Sequence, residues 1–228
     1  MNKKKRYILL GLLCTVYAIY AEVSITQLTG AQLEAIMTDK VEKENYLILD
    51  VRGKEEYAAG HVRNAVNLSV NELQYRLAEI DDLKHKNIVT ICRSGARSMK
   101  AAEMLKKNGF SCLFNAPGVS SYAYRQMTKV ANIRGQKLQE LANLGTHRII
   151  DIRDAKDYAG GHIKGAINIP ADQIDSRIKE LSKMKPIAVY CHTGEASFTV
   201  AQKLSDAGYE AINVLDGIKE YNGYTLVK

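Results

Sequence analysis

Leu49–Leu68 reads LDVRGKEEYAAGHVRNAVNL, and Ile150–Ile169 reads IDIRDAKDYAGGHIKGAINI. The two stretches stand at a constant offset of 101 and are identical at Asp50/Asp151, Arg52/Arg153, Tyr57/Tyr158, Ala58/Ala159, Gly60/Gly161, His61/His162, Ala65/Ala166 and Asn67/Asn168. Most apolar positions between these identities are kept as well, which marks an internal repeat. Upstream, at an offset of 105, Ile25, Leu28, Gly30, Leu33 and Ile36 pair with Val130, Ile133, Gly135, Leu138 and Leu141. Downstream, at 99, Cys92 pairs with Cys191, Gly109 with Gly208 and Gly118 with Gly217. Offset changes of this size are loop adjustments, so the chain is read as one module of about 100 residues used twice. The expected domains are 22–125 and 130–228, joined near Ser120–Lys129.

Within the first copy, Tyr46–Val51, Ala65–Leu68 and Ile88–Ile91 are apolar runs of strand length. Helical stretches separate and follow them at Lys54–Ala59, Asn71–Ile80 and Ser98–Lys107, the last stopped by Gly109. In the second copy Ile187–Tyr190 repeats the strand and Ser197–Ser205 the helix, which ends at Gly208. Strands alternating with helices predict an α/β fold of two tandem domains, each a mostly parallel sheet flanked by helices.

The 228 residues are 46% apolar and 25% charged, which excludes intrinsic disorder as the main state. Four positive charges, Lys3, Lys4, Lys5 and Arg6, account for more than half of the net +7. Beyond them no block of five like charges occurs, so nucleic acid is not an expected partner. That basic start precedes the uncharged run Tyr7–Ala21 and then acidic, polar sequence, the layout of a secretory signal. Residues 1–21 are therefore read as a signal peptide or N-terminal anchor, cleavage fitting after Ala18 or Ala21 and lipid attachment at Cys14 being a third form. Each form places the folded part outside the cytoplasm, in the periplasm or cell envelope of a bacterium. Membrane contact is expected only through residues 7–21, a run short of the roughly 20 residues a spanning helix needs.

The cysteines carry the chemistry. None lies in a Cys-x-x-Cys pair or at zinc-ligand spacing, so neither a metal nor another cofactor is expected. Cys112 sits in the apolar stretch Ser111–Asn115 and reads as a small buried residue. Cys92 and Cys191 each follow a strand and precede a glycine loop that opens a helix, the place where parallel α/β sheets present ligand sites. In Cys92-Arg93-Ser94-Gly95-Ala96-Arg97-Ser98, a loop curled around the sulfur would aim backbone N–H groups and the helix N-terminus at a thiolate. Arg93 and Arg97 would add two cations suited to an oxyanion, each stabilising the thiolate by roughly 0.7 to 2.8 kcal/mol at about 6 Å. Cys92 and Arg97 are thus the candidate catalytic residues, with Arg93, Ser94, Gly95, Ala96 and Ser98 lining the substrate. The second loop, Cys191-His192-Thr193-Gly194-Glu195-Ala196-Ser197, loses both arginines and gains a carboxylate that opposes thiolate and anion alike. Cys191, His192, Thr193 and Gly194 form a second candidate site, for which independent turnover and an accessory role both stay open.

Both copies resemble rhodanese domains, so the chain is similar to a tandem-domain sulfurtransferase. The resemblance rests on Asp50-Val51-Arg52 with Glu56-Tyr57, on Gly60 to Asn67 and on Cys92 to Ser98, and on their counterparts in the second copy. It implies that Cys92 takes a sulfane sulfur from a small anionic donor such as thiosulfate or polysulfide and holds it as a persulfide. The sulfur would then pass to cyanide or a thiol, and a thiol reductant would keep Cys92 usable in an oxidising compartment. Many tandem members keep a cysteine only in the second domain, whereas here both have one and the first has the better loop. Asp50, Arg52, His61, Asp151, Arg153 and His162 recur whatever the quality of the loop and are read as fold-stabilising. A related phosphatase would need five residues between cysteine and arginine; four separate Cys92 from Arg97. The competing class is a non-catalytic sulfur or redox binding module.

Overall fold

A computed structural model of the protein describes residues 23–39 and 41–228. The expected signal segment and Cys14 lie outside the described residues. Among the described residues no helix is long and apolar enough to cross a membrane.

Two compact units divide the chain: residues up to Arg52 with Leu68–Arg125, and Gly53–Asn67 with Gln126–Lys228. In chain order the elements are β1 (Ile25–Gln27), α1 (Gly30–Thr38), β2 (Tyr46–Asp50), α2 (Lys54–Ala59), β3 (His61–Val62), β4 (Ala65–Asn67), α3 (Leu73–Arg76), β5 (Asn87–Ile91), α4 (Ala96–Lys107) and β6 (Cys112–Asn115). They continue with β7 (Met127–Thr128), β8 (Ala131–Ile133), α5 (Gly135–Leu144), β9 (Arg148–Asp151), α6 (Ala155–Gly160), β10 (His162–Ile163) and β11 (Ile167–Asn168). The last are α7 (Ile174–Arg177), β12 (Ile187–Tyr190), α8 (Glu195–Asp206), β13 (Ala211–Val214) and β14 (Leu226–Val227).

The first large sheet has the order β1-β6-β5-β2-β4, and the second has β11-β9-β12-β13-β8. Pairing is parallel at β1–β6, β6–β5 and β5–β2, and throughout the second sheet. The predicted α/β architecture is therefore what forms. Alternation along the second unit's strands shows why both faces are covered. Ile187 and Val189 join Ile150, Val200, Ala201 and Leu204 in one apolar cluster, while Ala188 and Tyr190 join Ile149, Leu138 and Val214 in the other. A period of two in side-chain direction thus buries each strand on both sides, and Cys191 falls on the α8 side with Val189.

The stretch predicted as helix over Asn71–Ile80 is one α turn, Leu73–Arg76, followed by a 3-10 turn over Leu77–Glu79. Leu73 and Ile80 are buried, and apolar residues three or four apart serve either helix type, so periodicity does not separate them.

The recurring polar residues are structural. Arg52 Nε lies 2.9 Å from Asp50 Oδ1 and its Nη2 2.7 Å from Oδ2; Arg153 repeats this on Asp151 at 3.0 and 2.6 Å. Both carboxylates are fully buried, and the two-pronged contact satisfies charges that would otherwise be costly there. Asp151 has a further partner, the Tyr190 hydroxyl at 2.6 Å. Burial first, and that carboxylate second, hold Tyr190 in its protonated form. His61 stacks on Tyr57 with centroids 3.6 Å apart, and His162 on Tyr158 at 3.7 Å.

Gly53–Asn67 is grouped with the second unit and makes polar contacts to its residues Val130 and Asn132. The Tyr57 hydroxyl accepts from Asn132 N at 3.0 Å and donates to Ala65 O at 2.8 Å, and His61 Nε2 lies 3.0 Å from Val130 O. Antiparallel pairing of β3 with β7 completes the attachment.

Candidate active site

Residue Cys92 follows β5 directly, and Gly95, at φ 103°, turns the chain so that α4 starts at Ala96, two residues before the expected start. Only a residue tolerant of the left-handed region makes this turn without strain. No side chain caps the helix. Its first free N–H groups find the sulfur instead: Gly95 N donates to Cys92 Sγ at 3.1 Å. Burial pushes the Cys92 thiol up, but hydrogen bonds from the Ser98 hydroxyl and from the amides of Ser98, Gly95 and Ser94 outweigh it and bring the thiol below its ordinary range.

The loop thus gathers Cys92, Ser94, Gly95 and Ser98 around one atom. Cys92 and Ser98 are buried, Gly95 and Arg97 half-buried, and Arg93, Ser94 and Ala96 exposed. The amide donors expected around the sulfur are among the causes of this lowering, together with the Ser98 hydroxyl. The Ser98 hydroxyl also donates to Gly95 O at 2.9 Å, so Ser98→Ala removes both a group that lowers the thiol and a tie within the loop, and the pH midpoint for Cys92 alkylation is expected to rise toward that of an ordinary thiol. Alkylation by iodoacetamide across pH, read by peptide mass spectrometry, checks this, and an unchanged or lower midpoint would contradict it.

Gly118 is a site residue that sequence reasoning saw only as a repeat match. Val119 N donates to Cys92 O at 3.0 Å, and Ser120 N and Oγ donate to Arg93 O at 3.0 and 2.7 Å. A Cβ on Gly118 would stand 2.1 Å from Arg93 O, so the strand exit and the cysteine loop meet backbone to backbone. Gly217 does the same in the second copy, its added Cβ falling 1.9 Å from His192 O. The signal was present in the pairing of Gly118 with Gly217; its meaning needed the loop opposite. Gly30 and Gly135 follow the same logic, since the ring of Tyr122 covers the first and that of Tyr221 the second.

In the second loop Cys191 is buried and its Sγ lies 3.4 Å from Ser197 Oγ. Gly194, at φ 76°, turns into α8 as Gly95 does into α4. His192 and Thr193 are half-buried, and His192 Nε2 lies 2.9 Å from Asp157 Oδ2. Glu195, the carboxylate expected to oppose thiolate and anion in this loop, accepts through its Oε1 from Arg63 Nη2 at 2.5 Å. Arg63 stands 132 residues earlier, out of reach of any local reading of the loop.

The chain is similar to several known proteins. Thiosulfate sulfurtransferase GlpE of Tolumonas auensis is 30% identical over 91 residues, 40% of this chain and 86% of that protein. The tRNA uridine(34) hydroxylase of Onion yellows phytoplasma is 33% identical over 156 residues, 63% of this chain and 49% of the hydroxylase, so the chain spans about half of that relative's length. The crystal structure of thiosulfate sulfurtransferase from Pseudomonas aeruginosa is matched over 89% of this chain and 43% of that one, with a TM-score of 0.40 and 18% identity. The rhodanese-like domain matches residues 33–123 and again 135–223. Matched twice along its length, the chain belongs to the rhodanese-like domain family.

Proposed function

We propose that the protein is a sulfurtransferase that carries a sulfane sulfur on Cys92. The observation supporting this most directly is the thiol held below its ordinary range by amides and by Ser98, because a nucleophilic sulfur must ionise near neutral pH. The Cys92 thiolate attacks the outer sulfur of thiosulfate. A new S–S bond forms, the old one breaks, and its electron pair leaves with sulfite. The enzyme is left as a persulfide anion, which the same ring of donors suits. Cyanide or an acceptor thiolate then attacks the terminal sulfur, leaving as thiocyanate or a new persulfide and returning the Cys92 thiolate. Arg93, exposed at the rim, and Arg97, in the first turn of α4, are the groups proposed to meet the charge of the donor.

Intact mass spectrometry after thiosulfate treatment tests the proposal. One added sulfur is expected, located on the Cys92 peptide. No added sulfur with thiosulfate or polysulfide would leave the non-catalytic sulfur or redox binding module as the better reading. The phytoplasma relative's name denotes a different reaction, and persulfide formed by thiosulfate in the absence of nucleic acid is what the sulfurtransferase reading requires. An exported location is part of the same proposal. It rests on the basic and apolar residues 3–21, and with it comes the need for a thiol reductant or acceptor outside the cytoplasm.

A further inference from the structure

Arg63 and the first turn of α8 make an arrangement that the repeat does not predict. The segment carrying Arg63 is fixed by Arg63 N to Gln126 O at 2.8 Å and by β3 paired with β7, and Thr128 Oγ1 reaches Gln202 Oε1 on α8 at 3.1 Å. All these residues belong to the second compact unit. From that base the guanidinium lies between two groups one helical turn apart. Nη2 donates to Glu195 at 2.5 Å, and the guanidinium carbon stands 4.4 Å from the centre of the Phe198 ring. Side-chain exposures of 21% for Arg63 and 26% for Glu195 exclude much of the water that weakens surface pairs. Stacking on Phe198 adds a cation–π contact and fixes the plane of the fork.

The residues that answer to these in the other copy are different. Glu195 corresponds to Ala96, Phe198 to Met99, and Arg63 itself to Lys164, which is exposed. Loop 2 thus lost its own arginines and gained a carboxylate together with an aromatic seat for an arginine from elsewhere. We propose that Arg63 is a positioning residue of the second cysteine loop: by binding Glu195 it neutralises the carboxylate four residues after Cys191, so that the loop admits an anionic sulfur donor. This rests on the sulfurtransferase reading for the identity of the donor, but the charge balance is measurable without turnover.

Cys191 is alkylated in the full chain with negatively charged iodoacetate and, separately, with neutral iodoacetamide, and each rate is read on its peptide by mass spectrometry. Arg63→Met keeps the apolar stem and removes the charge. It is expected to lower the iodoacetate-to-iodoacetamide rate ratio at Cys191 about five- to tenfold, the scale of one unscreened neighbouring charge. The ratio at Cys92 should stay unchanged. Adding Glu195→Gln should restore the Cys191 ratio, because the carboxylate whose charge Arg63 offset is then gone. A merely structural role would change both rates together and leave the ratio alone. An unchanged ratio in Arg63→Met, or no restoration in the double variant, overturns the proposal. A changed and restored ratio in a protein that takes no sulfur from thiosulfate would uphold the positioning role and remove the sulfurtransferase reading.

Discussion

Replacing Cys92 by serine is expected to abolish thiocyanate formation from thiosulfate and cyanide, by about a thousandfold or more. A serine hydroxyl has no thiolate-like state near neutral pH and forms no persulfide, so both half-reactions disappear with the sulfur atom. Fold loss is an inadequate explanation for such a change, because serine is close in size to cysteine and the Gly95, Ser94 and Ser98 donors remain to meet its oxygen. Cys191→Ser should keep most of the activity, since among the described contacts its sulfur meets the Ser197 hydroxyl while Cys92 faces several amide donors. Steady-state rates of the two variants and the wild type decide the matter. Loss confined to Cys191→Ser would reverse the ranking of the loops.

Gly118→Ala is expected to be the most damaging substitution outside the cysteine loop. The added methyl would stand 2.1 Å from Arg93 O, 2.3 Å from Arg93 C and 2.5 Å from Ser94 N, all of them backbone atoms with no rotamer to change. Either the segment after β6 or the loop itself must move. Overpacking of this kind costs about 1–3 kcal/mol of stability, measurable as a lower urea midpoint with the slope retained. Activity should fall further than stability implies, about a hundredfold, because Ser94 N is one of the donors to the sulfur and small displacements of catalytic groups are amplified in rate. Thermal or urea unfolding beside kcat/KM separates the two effects. Wild-type activity in a folded Gly118→Ala protein would show that the contact between loop and strand exit does not set the position of the sulfur. Gly217→Ala, with its methyl 1.9 Å from His192 O, should lose similar stability but little turnover if Cys92 carries the reaction.

Much of the site was legible because its determinants are local. A cysteine at a strand end, a glycine three residues on and a helix-forming run after it already say where the sulfur sits and which amides surround it. Ser98 was legible as part of the loop, though its hydroxyl's effect on the thiol was not. A donor in the loop backbone has little choice of direction, while Arg93 has a flexible stem and an exposed position, so the amides are the part of the site that the local sequence places most directly.

By itself the sequence determined that one α/β module occurs twice, where its strands alternate and which two cysteines stand at strand ends. Those properties follow from short-range periodicity and from repetition, which need no knowledge of what lies opposite. Only the tertiary structure decided that Gly118 must lack a side chain, that Tyr57 and His61 meet Asn132 and Val130, and that Glu195 is matched by Arg63. Each depends on groups distant along the chain, and steric exclusion and charge neutralisation act over a few ångströms of space rather than along the backbone.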